Sequence, residues 1–263
     1  MIRRLRYWLK KRLYWVSVPI FKGPLKGRKF GLFTSSKYIR GTYEANEVAS
    51  FLRFIKKGDT VLDVGAHAGY YSLLAANHVG KDGKVISIEP HPLNLTYLWN
   101  HFKINNVQNA TILDCAVGSM NRWVSFDTSS GTGRARVEQT SSKSSKLIEM
   151  KTLDYLFERG LIGKPKVIKM DVEGAELEAL EGARTLIHSS RPAFVLSTHG
   201  HTTKAKCIQF LAEIGYRISL LGDDCILAEF STEVVTAKSR FVGTSGNHYS
   251  QLWKSKSTME TSC

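Results

Sequence analysis

One stretch limits what this chain can fold into: Thr60 to Ser72, read as Thr-Val-Leu-Asp-Val-Gly-Ala-His-Ala-Gly-Tyr-Tyr-Ser. Val61, Leu62 and Val64 form a short apolar run, as in a strand buried on both faces of a parallel sheet. The run stops at Gly65. Gly69 then opens a helical pattern from Tyr70 to Val79, with Gly80 placed as its C-terminal cap. Strand, glycine turn and helix make the first half of a nucleotide-binding βαβ unit. Glycine lets the backbone turn sharply and approach a ligand closely, and the helix N-terminus behind it offers free N–H groups. A lone turn of this kind also occurs where nothing binds, so the next strand matters. Lys84 to Ile88 is a second β-branched run, and it ends on Glu89. A carboxylate about 20 residues beyond the glycines is placed to accept from both ribose hydroxyls of an adenosine ligand.

Dinucleotides and S-adenosyl-L-methionine both fit this outline. The dinucleotide turn is G-x-G-x-x-G and cradles a pyrophosphate. Here Asp63, Gly65, Ala66, His67 and Gly69 form a turn that lacks the middle glycine and sets an acid before the first one. Asp63 is a poor neighbour for pyrophosphate and a good one for the ammonium or sulfonium region of S-adenosyl-L-methionine. Ala110 to Val117 reads as a third strand, and Asp114, Cys115 and Ala116 near its end are candidate contacts to the base. An ordinary strand end is the competing reading of Asp114.

The remaining chain supplies the rest of a parallel sheet. Tyr43 to Lys57 and Pro92 to about Asn105 read as helices. Arg122 to Phe126 and Lys146 to Met150 read as a hairpin around a long Ser/Thr/Gly excursion, either a substrate loop or disorder. Lys166 to Met170 is a fourth strand, a helix runs from its acidic tip to about His188, and Ala193 to Thr198 is a fifth strand with His199 just past its end. Tyr216 to Leu220 and Ile226 to Phe230 complete the set.

The chain has 263 residues, 43% of them hydrophobic, which is enough for one large α/β domain with extensions. Residues 1–31 read as a basic amphipathic segment and a Gly/Pro/Lys linker, 32–230 as the main domain and 231–263 as a polar tail. The formal net charge of +14 points to anionic partners such as nucleic acid, an anionic membrane or an acidic glycan. In the first 23 residues Arg3, Arg4, Arg6, Lys10, Lys11 and Arg12 interleave with Tyr7, Trp8, Tyr14 and Trp15. Three readings stand: a helix on an anionic membrane surface, a helix packed on the domain, and a presequence. The four cysteines show no paired spacing, which suits free thiols in a reducing compartment. No apolar run approaches the ~20 residues that cross a bilayer. The expected location is cytoplasmic, with peripheral membrane contact where the basic segment supplies it.

Five separated motifs together resemble one family, the FkbM-type S-adenosylmethionine-dependent methyltransferases. They are Asp63 to Ser72, Glu89-Pro90, Ala116-Val117-Gly118, Thr152-Leu153-Asp154 and Ile168 to Glu176 (Ile-Lys-Met-Asp-Val-Glu-Gly-Ala-Glu), with Gly58-Asp59 before the first strand. The resemblance covers roughly 43 to 199. It implies an α/β fold of the Rossmann-like class I methyltransferase type: a seven-stranded, mostly parallel sheet with helices on both faces and a reversed final strand. It also implies O-methylation, with a sugar, glycoconjugate or small-molecule hydroxyl as acceptor. The segments before 24 and after 230 match nothing in the family pattern.

Methyl transfer to a hydroxyl needs the acceptor oxygen held in line with the methyl group and a group to take its proton. Asp171 and His199 are the strand-end residues not already assigned to the cofactor, and His199 is the preferred base because histidine titrates near neutrality. A histidine satisfied by a backbone carbonyl is the plainer reading. Asp171, Glu173 and His199 also form a cation-ligand set. Two acids and one histidine without further ligand spacing do not specify a metal, and none is expected. Nucleic acid is an unlikely acceptor: Asp171-Val-Glu173-Gly174 does not match the adenine-methylating pattern, and no cysteine nucleophile sits at that strand end.

Overall fold

The computed structural model describes residues 8–127, 137–138 and 145–231. The first seven residues of the basic segment, most of the polar excursion after Asp127, and the tail from 232 lie outside the described residues, as does Cys263.

A short hairpin opens the structure, β1 (Ser17–Pro19) paired antiparallel with β2 (Lys29–Gly31). Helices α1 (Ser36–Arg40) and α2 (Ala45–Arg53) lead to β3 (Thr60–Val64), α3 (Tyr70–Val79), β4 (Lys84–Ile88), α4 (Pro92–Ile104) and β5 (Ala110–Leu113). A second layer of strands follows: β6 (Ala116–Val117), β7 (Arg122–Asp127), β8 (Val137–Glu138) and β9 (Ser145–Lys151). The chain then alternates through α5 (Leu153–Glu158), β10 (Val167–Met170), α6 (Glu176–Glu181), α7 (Arg184–Ser190), β11 (Ala193–Ser197) and α8 (His201–Glu213). It closes with β12 (Tyr216–Leu220) and β13 (Cys225–Phe230).

The seven-stranded sheet has the order β12-β13-β11-β10-β3-β4-β5, with β13 running against both its neighbours. This is the mostly parallel sheet with a reversed final strand that the motifs imply. The apolar runs are continuous because both faces are covered. Leu62, Val64, Ile168, Met170, Phe194 and Leu196 pack under α5 to α8. Val61, Val85, Val167 and Val195 alternate with them and pack under α2, α3 and the N-terminal hairpin. No helix among the described residues is long and apolar enough to cross a membrane.

Three local readings are corrected. The third strand ends at Leu113, and after Asp114 and Cys115 the chain joins another sheet as β6, beside β9. The helix read as running to His188 is two helices that part at Gly182 and Ala183; a Cβ at Gly182 would stand 2.2 Å from the Gly118 carbonyl oxygen. The Asp154 carboxylate accepts from Thr185 and Leu186 N–H at 3.0 and 2.8 Å and so starts the second of them. Residues 23–31, read as a linker, hold β2 and the buried Leu25 and Phe30.

Residues 10–14 lie along α4: the Tyr97 hydroxyl donates to the Lys10 carbonyl at 3.0 Å and the Asn100 amide to the Tyr14 carbonyl at 3.2 Å. Trp8 and Trp15 stay outward, 53% and 61% exposed. Asn94-Leu-Thr and Asn109-Ala-Thr match the N-glycosylation pattern, but both asparagines are structural: Asn94 is buried, and Asn109 donates to the carbonyls of Ala76 and Gly80.

His101 on α4 joins the hairpin to the glycine turn. Gly31 N–H donates to its Nε2 at 2.8 Å, so Nδ1 carries the proton and donates to the Ala68 carbonyl at 2.6 Å. Its ring stacks on Phe30 with centroids 3.8 Å apart. Burial pushes the imidazole down to about 4, whereas an unfolded histidine titrates near 6.5. Between those values the unfolded chain binds the extra proton, so the stability His101 contributes is present above about 6.5 and is lost as pH falls towards 4. The stability difference between wild type and His101→Gln should therefore shrink by roughly 1–2 kcal/mol from pH 7 to pH 5, measured by urea unfolding. A difference independent of pH would refute this role.

Candidate active site

The C-terminal ends of β3, β4, β10 and β11 bring Asp63, Glu89, Asp171 and His199 to one edge of the sheet, where open α/β sheets bind ligands. The glycine turn sits among them. Gly65 and Ala66 N–H both donate to the Ile88 carbonyl, at 2.9 and 3.0 Å. Gly65 has φ 78°, and a Cβ there would stand 1.9 Å from the Asp171 carbonyl oxygen; at Gly69, φ 84°, it would stand 2.3 Å from Leu98 Cδ1. The glycines are thus required by the protein's own crowding, a different reason from the close ligand approach read from sequence.

Glu89 is buried and holds the turn. It accepts from His67 N–H at 2.7 Å, His91 N–H at 2.8 Å and the Asn94 amide at 3.1 Å. Burial raises its carboxyl to about 7, against the pull of these donors. His67, at φ 51°, is pushed down to about 4 by burial. Glu89 N–H donates to the Leu113 carbonyl at 3.1 Å, which sets the end of β5 beside it. Of the three candidate base contacts there, the Asp114 side chain is exposed while Cys115 and Ala116 are buried. Burial raises the Cys115 thiol to about 12, and with both side chains buried it is the backbone of these two that could meet a ligand.

Asp63 lies within the fold, 2% exposed, where the Ser72 hydroxyl donates to it at 2.5 Å and Ser87 donates to Ser72 at 2.7 Å. In this conformation it is hidden from a ligand. Burial raises its carboxyl to about 6, with Ser72 and Lys169 pulling the other way. Lys169 pairs with Asp63 in the β3–β10 register. It is equally buried, donates to the Ser197 hydroxyl at 2.8 Å and stands 3.6 Å from Asp171 Oδ2. Burial pulls its ammonium down, but Asp171, with lesser help from Glu44 and Asp63, outweighs burial and holds it above the ordinary value.

Asp171 and His199 do meet. His199 Nε2 is 3.7 Å from Asp171 Oδ1 and 3.5 Å from Glu173 Oε2, and its Nδ1 is 2.8 Å from Oε1 of the fully buried Glu176. The hydrogen bond to Glu176, reinforced by Asp171 and Glu173 and opposed by burial, lifts the imidazole to about 9. A neutral base at pH 7 was expected, but this arrangement keeps the ring protonated. Asp171 and His199 open onto a cavity of about 490 Å³ whose other walls carry Glu44, Glu47, Asp223 and Asp224.

Sequence reasoning assigned no role to Lys169, Glu176 or Asn94. A lysine inside the strand Val-Ile-Lys-Met was the available signal for the first, since a charge in a doubly covered strand needs a partner. Glu176 acts on His199, 23 residues further on, and Asn94 reaches back to Glu89 from the next helix, neither of which a local pattern reveals.

A family model, the methyltransferase FkbM domain, matches residues 63–218. The chain belongs to the FkbM methyltransferase family. Its fold is similar to that of a methyltransferase FkbM from Methylobacillus flagellatus KT, with a TM-score of 0.50 and 20% identity over 74% of this chain and 55% of that one. A hexuronic acid methyltransferase, AglP, from Haloferax volcanii is 26% identical over 148 residues, 56% of this chain and 59% of its own length. A ribosomal RNA large subunit methyltransferase E from Vesicomyosocius okutanii is 35% identical over 77 residues, 28% of this chain and 37% of its own. The chain thus spans little more than half of the first relative and much less of the second. FkbM membership carries the class I methyltransferase fold seen here.

Lys169→Met should destabilise this FkbM domain by about 3–5 kcal/mol, because Asp63 and Asp171 lose their buried counter-charge. Urea unfolding at pH 7 reads this as a large drop in midpoint with unchanged slope, and an unchanged midpoint would sink the assignment.

Proposed function

We propose that this chain transfers the methyl group of S-adenosyl-L-methionine to a hydroxyl of a sugar, glycoconjugate or other small polyhydroxylated acceptor. One observation carries the reading: the Gly65 turn abuts the Asp171 backbone. A donor held by the turn and an acceptor held in the cavity behind Asp171 would therefore share one wall. In this reading Gly65, Ala66, His67 and Gly69 seat the methionine portion, and Glu89 takes the ribose hydroxyls. Asp114, with the backbone of Cys115 and Ala116, meets the adenine, and Asp63 holds the turn from below. Asp171 and His199 receive the acceptor. The acceptor oxygen bonds to the methyl carbon as the carbon–sulfur bond breaks and sulfur keeps the electron pair. The hydroxyl proton passes to the carboxylate-rich cluster. Holding oxygen and methyl in line supplies much of the rate.

The hexuronic acid methyltransferase from Haloferax volcanii supports a sugar acceptor. The ribosomal RNA relatives match shorter stretches, and a cavity walled by carboxylates is a poor seat for a polyanionic backbone.

The outward Trp8 and Trp15 beside Lys10, Lys11 and Arg12 support peripheral contact with an anionic membrane face, on which a glycolipid acceptor would lie. Full-length protein should sediment with anionic vesicles, more weakly as salt rises, and Trp8→Ser/Trp15→Ser should reduce the bound fraction. Equal sedimentation of both proteins would remove the membrane from the proposal.

Glu89→Ala should weaken S-adenosyl-L-methionine binding by about 1.5–3 kcal/mol per lost charge-assisted hydrogen bond, measured by calorimetry. Asp171→Asn and His199→Ala should keep that affinity and lose roughly 10²–10⁴-fold in turnover. The acceptor for this assay comes from mass spectrometry of glycans and glycolipids in a deletion strain, where the proposal requires a missing O-methyl group. Methylation confined to RNA in that comparison would overturn it.

A further inference from the structure

We infer that Asp171, Glu173 and His199 form a binding site for one divalent cation at the floor of the acceptor cavity. The inference deepens the acceptor-site reading above and depends on it only for the cation's use, not for its binding.

The geometry is that of a set of ligands converging on one point. Asp171 Oδ1, Glu173 Oε2 and His199 Nε2 come from two loops, after β10 and after β11, and no two of the three are farther apart than 4.8 Å. His199 Nε2 stands 3.5 and 3.7 Å from the two carboxylate oxygens. Those separations exceed a hydrogen bond, which for N–H···O runs about 2.7–3.2 Å. They suit atoms bound to one ion at the roughly 2.0–2.6 Å of metal–oxygen and metal–imidazole bonds.

Two further observations point the same way. Asp171 Oδ1 is buried and has no hydrogen-bond partner, although it belongs to a carboxylate with an opening beside it. An orphaned acceptor of that kind is costly unless something binds there. The second is Glu176. Its side chain is fully buried, its Oε1 accepts from Gly174 N–H at 2.9 Å, and the same oxygen meets His199 Nδ1 at 2.8 Å. Held this way, Nδ1 donates its proton to Glu176, and Nε2 is the nitrogen that faces the two carboxylates and would release its own proton on taking a cation. A carboxylate behind a histidine in this manner is the usual support of a metal-ligating imidazole.

Charge completes the case. The cavity is lined by Glu44, Glu47, Asp171, Asp223 and Asp224, with no lysine or arginine among its described lining residues. A cation on the Asp171–Glu173–His199 set would offset this field, accept oxygens of an acceptor diol and acidify the hydroxyl to be methylated. His199 then acts as a ligand, and the cation takes over the activation of the hydroxyl. One imidazole with two carboxylates suits Mn²⁺ or Mg²⁺ in an open site.

The test uses full-length protein, freed of metal with chelator and titrated with Mn²⁺ under electron paramagnetic resonance. One saturable site is expected. Glu173→Gln and His199→Gln should each weaken it at least tenfold, and Glu176→Gln by about 10–100-fold. Circular dichroism shows whether each variant is folded, and the partly exposed Glu173 gives the variant least able to disturb folding. No saturable Mn²⁺ site in the wild type, or wild-type affinity in folded Glu173→Gln, overturns the inference. Calorimetry with S-adenosyl-L-methionine on the same samples separates the two claims. Donor binding and sugar methylation without any Mn²⁺ site would sink the cation alone. A Mn²⁺ site in a protein that methylates no hydroxyl would sink the acceptor reading and leave the cation standing.

Discussion

The buried charge at the seam between β3 and β10 is the constraint on which the rest depends. Lys169 sits mid-strand in a sheet covered on both faces, where an isolated ammonium would be prohibitive. It is tolerated because Asp63 lies beside it in register, Asp171 two residues on stands 3.6 Å away, and the Ser197 hydroxyl accepts a hydrogen bond from it. That arrangement ties three strands together at the edge where a ligand would sit. It also leaves Asp171 with Oδ2 beside Lys169 and Oδ1 without a hydrogen-bond partner, 3.7 Å from His199 Nε2. A site residue is thereby positioned by the most buried cation of the fold, so the chemistry at the rim and the stability of the sheet are not separable.

The glycine turn shows the same coupling from the other side. Gly65 is where the first strand must bend without touching the Asp171 carbonyl, and Gly69 is where α3 must start against Leu98 of α4. Glu89 then fixes the loop by accepting from His67 and His91 N–H and the Asn94 amide. The turn is therefore preformed by protein contacts, and a ligand entering it would meet a rigid surface. Preorganisation of this kind lowers the ordering cost of binding.

Much of this was legible in the sequence, for a definite reason. Strands buried on both faces read as continuous β-branched runs, so Thr60–Val64, Lys84–Ile88 and Ala193–Ser197 were visible without any tertiary information. The strand-end acids and His199 followed, because ligands meet open sheets at those ends. The failures also have causes. At the helix break, Gly182 packs against the Gly118 carbonyl and Asp154 accepts from the first N–H groups of the second helix, both contacts from far along the chain. The strand after Leu113 changes sheets because β9, reached only after the polar excursion, offers it a partner. Leu25 and Phe30 lie in a Gly/Pro/Lys stretch whose composition reads as linker, yet α4 and the hairpin bury them. The protonated state of His199 depends on Glu173 and on Glu176 at the start of α6, which are close in the fold but follow another strand. Each miss is a case of a distant group overriding a local pattern.

The distribution of charge leads one step further. The chain carries a formal +14, yet the acceptor cavity is walled by carboxylates. A field of one sign inside a low-dielectric cleft is focused, not cancelled, by the opposite charge spread over the outer surface. The two fields therefore do different work. In the proposed reading, the net positive charge would draw the protein to an anionic surface or a glycan coat, where screening limits its reach to about 10 Å. The negative interior then admits only the part of an acceptor that can bear it, a neutral polyol or a group that arrives with a cation. An acidic sugar could be drawn to the protein by the first field and still be refused by the second. What it would need to enter is a positive charge at the floor of the cavity, where Asp171, Glu173 and His199 converge.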